Sequence, residues 1–236
     1  SWAGEAYHAL TIHVTDGMMP NVASPFGGVL RLNVSGDCYV DGSGVDYSCF
    51  EGFDCVLITS EGSLRFENTA GLECGGGTLP VPAVIVDGDV DVCCENFLAQ
   101  PNEGCGLTVA VLNETLRTDL LRWRNGDMLI AGGVMTARSI STFNPITVTC
   151  RDGVLLLDWP SDYEMTFVLS GGEAYLAGPL NEGTVVEAGA GILAAQDVSA
   201  AEIHGDGASV LGGEEAESWY FQTTYSEDWS GAQDGM

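Results

Sequence analysis

Residues 146–159 place two β-rich runs on either side of the dipeptide Asp152-Gly153. In the first run Ile146, Val148 and Cys150 alternate with polar residues, as they do on a strand with one buried face. Asp and Gly tolerate the positive φ angles that a two-residue hairpin turn requires at its centre. This stretch therefore predicts a tight antiparallel hairpin.

The same pattern recurs along the chain and sets the fold class that we predict. Further candidate turns lie at Glu61-Gly62, Asp87-Gly88, Asn125-Gly126 and Gly171-Gly172, and Gly132-Gly133 predicts a bulge or bend. Residues 7–15 predict a first strand. Residues 113–123 are the one plausible helix, or equally an extended run into Asn125-Gly126. We predict an all-β protein, an antiparallel hairpin-rich sandwich or a jelly-roll-like barrel.

Residues 184–213 support a different fold for the C-terminal half. They consist mainly of Val, Ala, Ile and Gly with sparse acids, and Ile192, Val198 and Ile203 recur about every five or six residues. A recurring apolar position of this kind is typical of the stacked rungs of a β-solenoid. A β-solenoid in the C-terminal half is the alternative fold.

The cysteines divide the chain unevenly and suggest two modules. Residues 1–112 form a cysteine-rich β module, and residues 113–236 form a Gly-rich β module with an acidic and aromatic C-terminal segment. No Pro- or Ser-rich linker marks the boundary, so a single domain is the alternative.

The charge balance excludes some partners. The chain has 34 acidic residues against seven basic ones, all of them Arg, which gives a net charge of −27. Such a surface repels nucleic acids and anionic membranes, and no apolar run of about 18 residues predicts membrane insertion. Three explanations of the acids remain: a halophilic protein that works at high salt, a soluble extracellular surface, or multivalent cations bound between subunits.

Eight cysteines, an even number, favour disulfides and hence an oxidising compartment. The alternative is a set of buried thiols. No Cys-x-x-Cys pair occurs, which argues against zinc, iron–sulfur and haem sites. The disulfide candidates are Cys38, Cys49, Cys55, Cys74, Cys93, Cys94, Cys105 and Cys150.

Further signals agree with an extracellular chain, either secreted or on a virion surface. Asn33 and Asn113 begin N-glycosylation tripeptides, so a glycoprotein is expected. Because the sequence begins at Ser1, we expect either a processed chain or loss of the initiator Met.

Two groups of residues are candidate sites. Asp87, Asp89 and Asp91 alternate along one run and suit a hard cation such as Ca²⁺, although a solvated strand face is the favoured explanation. His204 has Glu202 and Asp206 as acidic neighbours, but no nucleophile motif accompanies it. We therefore assign no catalytic residue, metal ligand or cofactor; Ca²⁺ is the only ion that the sequence suggests.

The histidines near the N-terminus do not form a metal site on a regular strand. His8 and His13 lie five residues apart and so fall on opposite faces.

The last part of the chain differs in composition, because acids precede a group of aromatic residues. One interpretation is a final strand with a frayed end. The other is a segment that docks onto a neighbouring subunit. The assembly candidates are Trp219, Tyr220, Phe221, Tyr225 and Trp229.

The leading functional expectation is a non-enzymatic structural subunit of an extracellular or virion-surface assembly. Copies of the chain, or related structural chains, would join through β edges and aromatic contacts. The strand at residues 7–15 is the first candidate for an edge passed to a neighbour. The alternatives are an extracellular carbohydrate- or Ca-binding β module and a polysaccharide-acting enzyme on a β-solenoid.

Overall fold

The structure is a computed structural model of the chain. It describes residues 9–20, 22–24, 27–41, 50, 52–67, 72–75, 84–87, 90–100, 107–113, 115–123, 127–142, 144–159 and 164–214. Within these ranges no helix is long and apolar enough to cross a bilayer.

Sixteen strands make up the described part of the fold. The strands of the first half are β1 (Ala9–Met19), β2 (Val29–Asp41), β3 (Cys55–Glu67), β4 (Leu72–Gly75), β5 (Val84–Val86), β6 (Val90–Gln100), β7 (Leu107–Val111) and β8 (Thr115–Trp123). Those of the second half are β9 (Asp127–Ala131), β10 (Val134–Thr142), β11 (Ile146–Arg151), β12 (Val154–Trp159), β13 (Met165–Leu176), β14 (Val185–Ala195), β15 (Glu202–His204) and β16 (Ala208–Gly212).

The strands stack in parallel, each on the strand one turn of the chain away, so the fold is a β-solenoid. The first ladder contains the N-terminal parts of β1, β2, β3, β13 and β14, together with β5, β7, β9, β11 and β15. The second ladder contains the C-terminal parts of the same long strands, together with β6, β8, β10, β12 and β16. We number the ten successive turns coils 1 to 10.

A third, shorter ladder extends the middle coils. It pairs β4 with the end of β6, the end of β6 with the end of β8, and the end of β8 with the end of β10. β6, β8 and β10 each run from the second ladder into this third ladder, whereas β4 is a separate strand that follows β3 along the chain.

The all-β prediction is confirmed, but the antiparallel sandwich or jelly roll is wrong. β11 and β12 flank Asp152-Gly153 and do not pair with each other. Instead β11 pairs in parallel with β9 and β13, and β12 pairs in parallel with β10 and β13. The alternative of a β-solenoid is the observed architecture, and it extends well beyond the C-terminal half.

The turn chemistry was identified correctly, but its consequence was not. Asp152 does adopt a left-handed conformation, with φ of 57°, and Gly171 follows in the next coil with φ of 119°. A side chain at Gly171 would begin 2.7 Å from the Asp152 carboxylate. These residues bend the chain from the first ladder into the second, where it continues forward instead of reversing. Gly132-Gly133 makes the predicted bend between β9 and β10.

Of the two interpretations of residues 113–123, the extended run is the observed one and the helix is wrong, because Thr115–Trp123 is strand β8. β8 pairs in parallel with β10, so that Leu116 lies opposite Met135 and Leu120 lies opposite Ser139. Pairing on both sides of β8 outweighs the modest helical spacing of its leucines.

The core is a set of columns that run along the solenoid axis. In the first ladder one apolar column takes one side chain from each coil. Its members are Leu10, Leu30, Val56, Val84, Val109, Met128, Val148, Phe167, Val186 and Ile203. The eight inner members are fully buried, at 0% exposure, so the column is the continuous centre of the core.

Candidate functional site

The N-terminal end of the solenoid is an open strand edge. β1 pairs with β2 on one side, and no described strand pairs with its other side. Leu10, the first member of the apolar column, is 41% exposed, and Met18 is 63% exposed. An unpaired edge with apolar side chains is a surface to which another strand can add.

The C-terminal end is open in the same way. Among the described strands, β15 and β16 pair with β14 alone. Ile203, the last member of the apolar column, is 43% exposed. The two ends of one column are therefore the places where the described core meets solvent.

A histidine lies between two carboxylates at this C-terminal end. His204 Nε2 is 2.7 Å from Glu202 Oε1, and His204 Nδ1 is 3.0 Å from Glu187 Oε1. Hydrogen bonds to Glu202 and then to Glu187 raise the pKa of His204 above its ordinary value. The protonated imidazole of His204 donates a hydrogen bond to each carboxylate, so three charged side chains lie together at the edge of the last coil.

The sequence identified half of this cluster. Glu202 is the predicted neighbour, but Glu187 contacts His204 because it lies one coil earlier, opposite His204 in the ladder. Asp206 is exposed, and the hydrogen bonds of the ring go to Glu187 and Glu202 instead. The signal that was missed is the coil length, which brings residues 17 positions apart into register.

A polar row lies outside the first ladder near the N-terminal end. His13, Asn33 and Thr59 occupy matching positions in coils 1, 2 and 3. Thr59 donates to Asn33 Oδ1 at 2.7 Å, and Asn33 Nδ2 lies 3.1 Å from His13 Nδ1. Glycosylation of Asn33 stays a prediction, and the amide that it would modify already bridges two coils. His8 lies outside the described residues.

The proposed Ca²⁺ row is only partly described. Asp87 accepts a hydrogen bond from Asn113 Nδ2 at 2.7 Å, so this second glycosylation candidate lies beside the first acid of the row. Asp89 lies outside the described residues, as does the side chain of Asp91. In the part of the chain that the structure describes, no group of three or more His, Cys, Asp or Glu side chains is arranged so that it could hold a metal ion.

Three of the eight disulfide candidates have described side chains. Cys38, Cys55 and Cys150 are buried, and none of them forms a disulfide. Cys38 and Cys150 face the interior five coils apart, about 24 Å at ~4.8 Å per coil, which no disulfide spans. The side chains outside the described part, for which pairing stays a prediction, are those of Cys49, Cys74, Cys93, Cys94 and Cys105.

The aromatic assembly candidates also lie outside the described residues. They are Trp219, Tyr220, Phe221, Tyr225 and Trp229, and the described chain stops at Glu214, directly after the last coil. The division into modules at residues 1–112 and 113–236 likewise stays a prediction.

These features define the described chain as a parallel β-solenoid with an open edge at each end. No protein-family model matches the chain, and the searches of curated proteins and of solved structures found no similar protein.

Proposed function

We propose that the protein is a non-enzymatic structural subunit whose copies assemble end to end through the two open edges of the solenoid. The observation that supports this is the apolar column, whose inner members are fully buried while Leu10 and Ile203 are each about two-fifths exposed. A second copy that continued the column would bury both ends. The extracellular or virion-surface setting is part of the same proposal.

The ladder register suggests how two copies would meet. Val186 pairs with Ile203 in the last two coils, and Leu10 pairs with Leu30 in the first two. Placing Leu10 of one copy against Ile203 of another continues both the apolar column and the parallel ladder. This joint is heterologous, so it produces either a closed ring or an open filament.

End-to-end contact leaves the first strand in its own chain. β1 keeps its pairing with β2 from Ala9 to Met19 and uses only its unpaired side. The exchange of residues 7–15 between copies is the competing form of assembly, because it requires β1 to leave β2.

The net charge opposes assembly and sets its salt dependence. Each copy carries a net charge of −27, and Glu187 and Glu202 lie at the C-terminal edge. Salt screens this repulsion, with a Debye length that falls from about 10 Å at 0.1 M to about 3 Å at 1 M. We therefore expect larger assemblies at multimolar salt than at low salt.

The test is the native mass in solution, measured by sedimentation across protein concentration and salt, with and without Ca²⁺. Leu10→Asp and Ile203→Asp should each reduce assembly, because each places a carboxylate in an apolar joint. Ser170→Asp adds the same charge at an exposed position of coil 8 and should leave the mass unchanged. A monomer under every condition would refute the proposal.

The β-solenoid also favours a second candidate, a polysaccharide-acting enzyme, because that hypothesis required this architecture. Its nearest acid–base group is His204 with Glu187 and Glu202. Turnover of a neutral or acidic glycan that Glu202→Gln abolishes would support it. Binding without turnover, or stabilisation by Ca²⁺, would instead support the carbohydrate- or Ca-binding module.

A further inference from the structure

The two end coils match each other in both ladders, so the register fixes which residues meet when one copy stacks on another. In coil 10, Ile203 of the first ladder and Val210 of the second are seven positions apart. In coil 1, Leu10 and Gly17 hold the same two places and are also seven positions apart. A second copy placed with its Leu10 against Ile203 therefore brings Gly17 against Val210 without a shift of register.

Coil 1 does not take this spacing from the coil behind it. In coils 2 to 4 the two places are eight positions apart, at Leu30 and Cys38, Val56 and Leu64, and Val84 and Val92. Coil 1 has one residue fewer between them, and its register with coil 2 shifts between Thr15 and Gly17. The open edge of coil 1 thus has the spacing of coil 10, not that of coil 2.

The facing residues of the second ladder also differ in size in a complementary way. Gly17 has nothing within 4 Å of the place where a side chain would begin, and Val210 falls opposite it. Two positions further on, Met19 falls opposite Gly212. Each place pairs a glycine with a larger apolar side chain, so the core can continue across the joint without crowding.

The same register brings the two histidines within the described residues to this joint, one from each copy. His13 lies three positions after Leu10, and Asp206 lies three positions after Ile203, so Asp206 of one copy falls opposite His13 of the next. His13 and Asp206 are both exposed. Neighbouring strands lie ~4.8 Å apart, which allows an imidazolium and a carboxylate at facing positions to pair. His204 falls opposite Thr11 in the same joint.

The charged groups near His13 in its own chain come from β1 and β2. On β1, Asp16 accepts a hydrogen bond from the backbone N–H of Asp37 at 3.0 Å and is engaged at the corner. On β2, Arg31 is exposed two positions before Asn33, whose amide nitrogen lies 3.1 Å from His13 Nδ1. His13 therefore has a neutral amide on the side of coil 2, and its other side faces the open edge, where a second copy brings a carboxylate.

The charged groups that face His204 in the described chain are acidic. Glu202 lies on the same strand, Glu187 lies on β14, and Asp206 follows in the same coil. Hydrogen bonds to Glu202 and then to Glu187 raise the pKa of His204, so these carboxylates favour the protonated ring. Its protonation reduces the negative charge of an edge that must approach another chain of net charge −27.

We propose that protonation of His13 and His204 strengthens the joint between copies, so that acid promotes assembly. This inference rests on the proposed end-to-end assembly and adds its regulation. Protonated His13 attracts Asp206 of the neighbouring copy, and protonated His204 offsets the carboxylates beside it. Both effects have the same sign, because each protonated ring favours contact. The joint is therefore strongest at low pH and weakens as the pH rises and the rings lose their protons.

The test is sedimentation of the full chain at pH 5.5, 6.5 and 7.5, at one ionic strength at which the unmodified chain assembles. One proton taken up per joint lowers the dissociation constant by at most about tenfold for each unit by which the pH falls. His13→Asn and Asp206→Asn should each reduce this pH response. Glu164→Gln removes an exposed carboxylate from coil 8, away from the joint, and should leave the response unchanged.

An exchange of the two charges distinguishes pairing across the joint from a structural role of His13 within its own chain. His13→Asp alone should weaken assembly at pH 5.5, because it places two carboxylates opposite each other. Adding Asp206→His to the same chain restores an opposite pair with the charges exchanged, and assembly at pH 5.5 should recover. A loss caused only by damage to coil 1 would not be repaired by a change in coil 10.

The outcomes separate this inference from the assembly on which it rests. A pH response that both asparagine variants reduce, together with recovery in the exchanged pair, supports the inference. Assembly whose pH response is absent, or is the same in both variants as in the unmodified chain, overturns the inference and leaves end-to-end assembly standing. A monomer under every condition, multimolar salt included, refutes both.

Discussion

Coils 1 to 5 and coils 6 to 10 share the same two ladders, but three coils of the first half, coils 2 to 4, are longer than the rest. In the first half Val29 pairs with Cys55, 26 positions on, and Val56 pairs with Val84, 28 positions on. In the second half Thr166 pairs with Val185, 19 positions on, and Val185 pairs with Glu202, 17 positions on. The extra residues of coils 2 to 4 fall outside the two ladders, where added chain length costs little.

The stacking register of the core side chains does not change with coil length. The apolar column passes through long and short coils alike, with every inner member at 0% exposure. A parallel ladder therefore fixes which side chains stack on one another, whereas the turns set only the number of residues between successive stacked positions.

The halves also differ in charge and at particular interior positions. Leu169 in coil 8 stacks on Ala188 in coil 9, and Leu176 stacks on Ala195, so the buried side chain becomes smaller at these two positions. Arg151 is the last Arg in the sequence, so the final coils carry acids with no Lys or Arg. The final coils therefore have a higher density of net negative charge.

The largest expected effect distinguishes the middle of the apolar column from its end. Phe167→Ala removes a fully buried ring between Val148 and Val186 and should cost about 3–5 kcal/mol of unfolding free energy. Leu10→Ala at the open end should cost about 1 kcal/mol or less, because its side chain is already 41% exposed. Urea unfolding of both variants measures the difference. Similar losses would mean that coil 1 is covered as fully as coil 8.

The next prediction compares two glycines at corners of the solenoid, one that stacks on the preceding coil and one in coil 1. Gly191 has φ of 108°, and a side chain there would meet the carbonyl oxygen of Gly172 in the preceding coil. Gly17 has a similar φ of 99°, but nothing lies within 4 Å of its position. Gly17→Ala should cost about 1–3 kcal/mol from backbone strain alone, and Gly191→Ala should cost more. Thermal unfolding that ranked Gly17→Ala as the worse variant would contradict the stacked-corner geometry.

Much of the local structure was predictable from the sequence, because it depends on local chemistry. Alternation identified the strand that begins at Ile146, and Asp152-Gly153 identified a position of positive φ. Neither signal states whether the next strand returns beside the first or continues forward, because both a hairpin and a solenoid corner use left-handed residues. That choice is made by pairing with residues about 20 positions away.

The candidate site was less predictable for the same reason. Glu187 and His204 are 17 positions apart, and their contact can be predicted only when the length of the last full coil is known. The irregular lengths of the first coils hide this period from inspection. The spacing of Ile192, Val198 and Ile203 favoured a solenoid, although only Ile203 of the three belongs to the apolar column.

A smaller effect compares two buried thiols in the two halves. Cys38 and Cys150 are both at 0% exposure, but Cys38 lies in coil 2 beside the open end and Cys150 lies in coil 7. Cys150 should be alkylated only through global unfolding, whereas Cys38 should react faster through fraying of coil 1. Mass spectrometry of timed alkylation gives both rates. Faster labelling of Cys150 would place the weaker half at the C-terminal end.

Alkaline pH provides an independent check on Cys150. Burial raises the pKa of this thiol from 9.0 to about 12, because the thiolate is poorly solvated in the core. The stabilisation is therefore complete below pH 9 and is lost as pH rises towards about 12. Cys150→Ala should flatten the fall in stability over that range, measured by urea unfolding at several pH values. An unchanged slope would show that the thiol is not buried in solution.

The smallest expected effect concerns His204 at the open C-terminal edge. Glu202→Gln should lower the pKa of His204 more than Glu187→Gln does, because the hydrogen bond to Glu202 is the larger cause of the raised pKa. Asp206→Asn, a change at an exposed neighbour, should have less effect than either. Proton NMR titration of the imidazole measures all three.

The sign of the pH effect follows from the direction of the shift. A pKa raised above 6.5 in the folded state stabilises the last coil fully below pH 6.5 and loses this effect as pH rises through the raised pKa. Amide hydrogen exchange in β15 should therefore be slower at pH 5.5 than at pH 8, after correction for intrinsic exchange. Exchange in β11, which is paired on both sides, should show no such difference. If β15 were equally protected at both pH values, His204 would contribute nothing to holding the edge to which a second copy is proposed to bind.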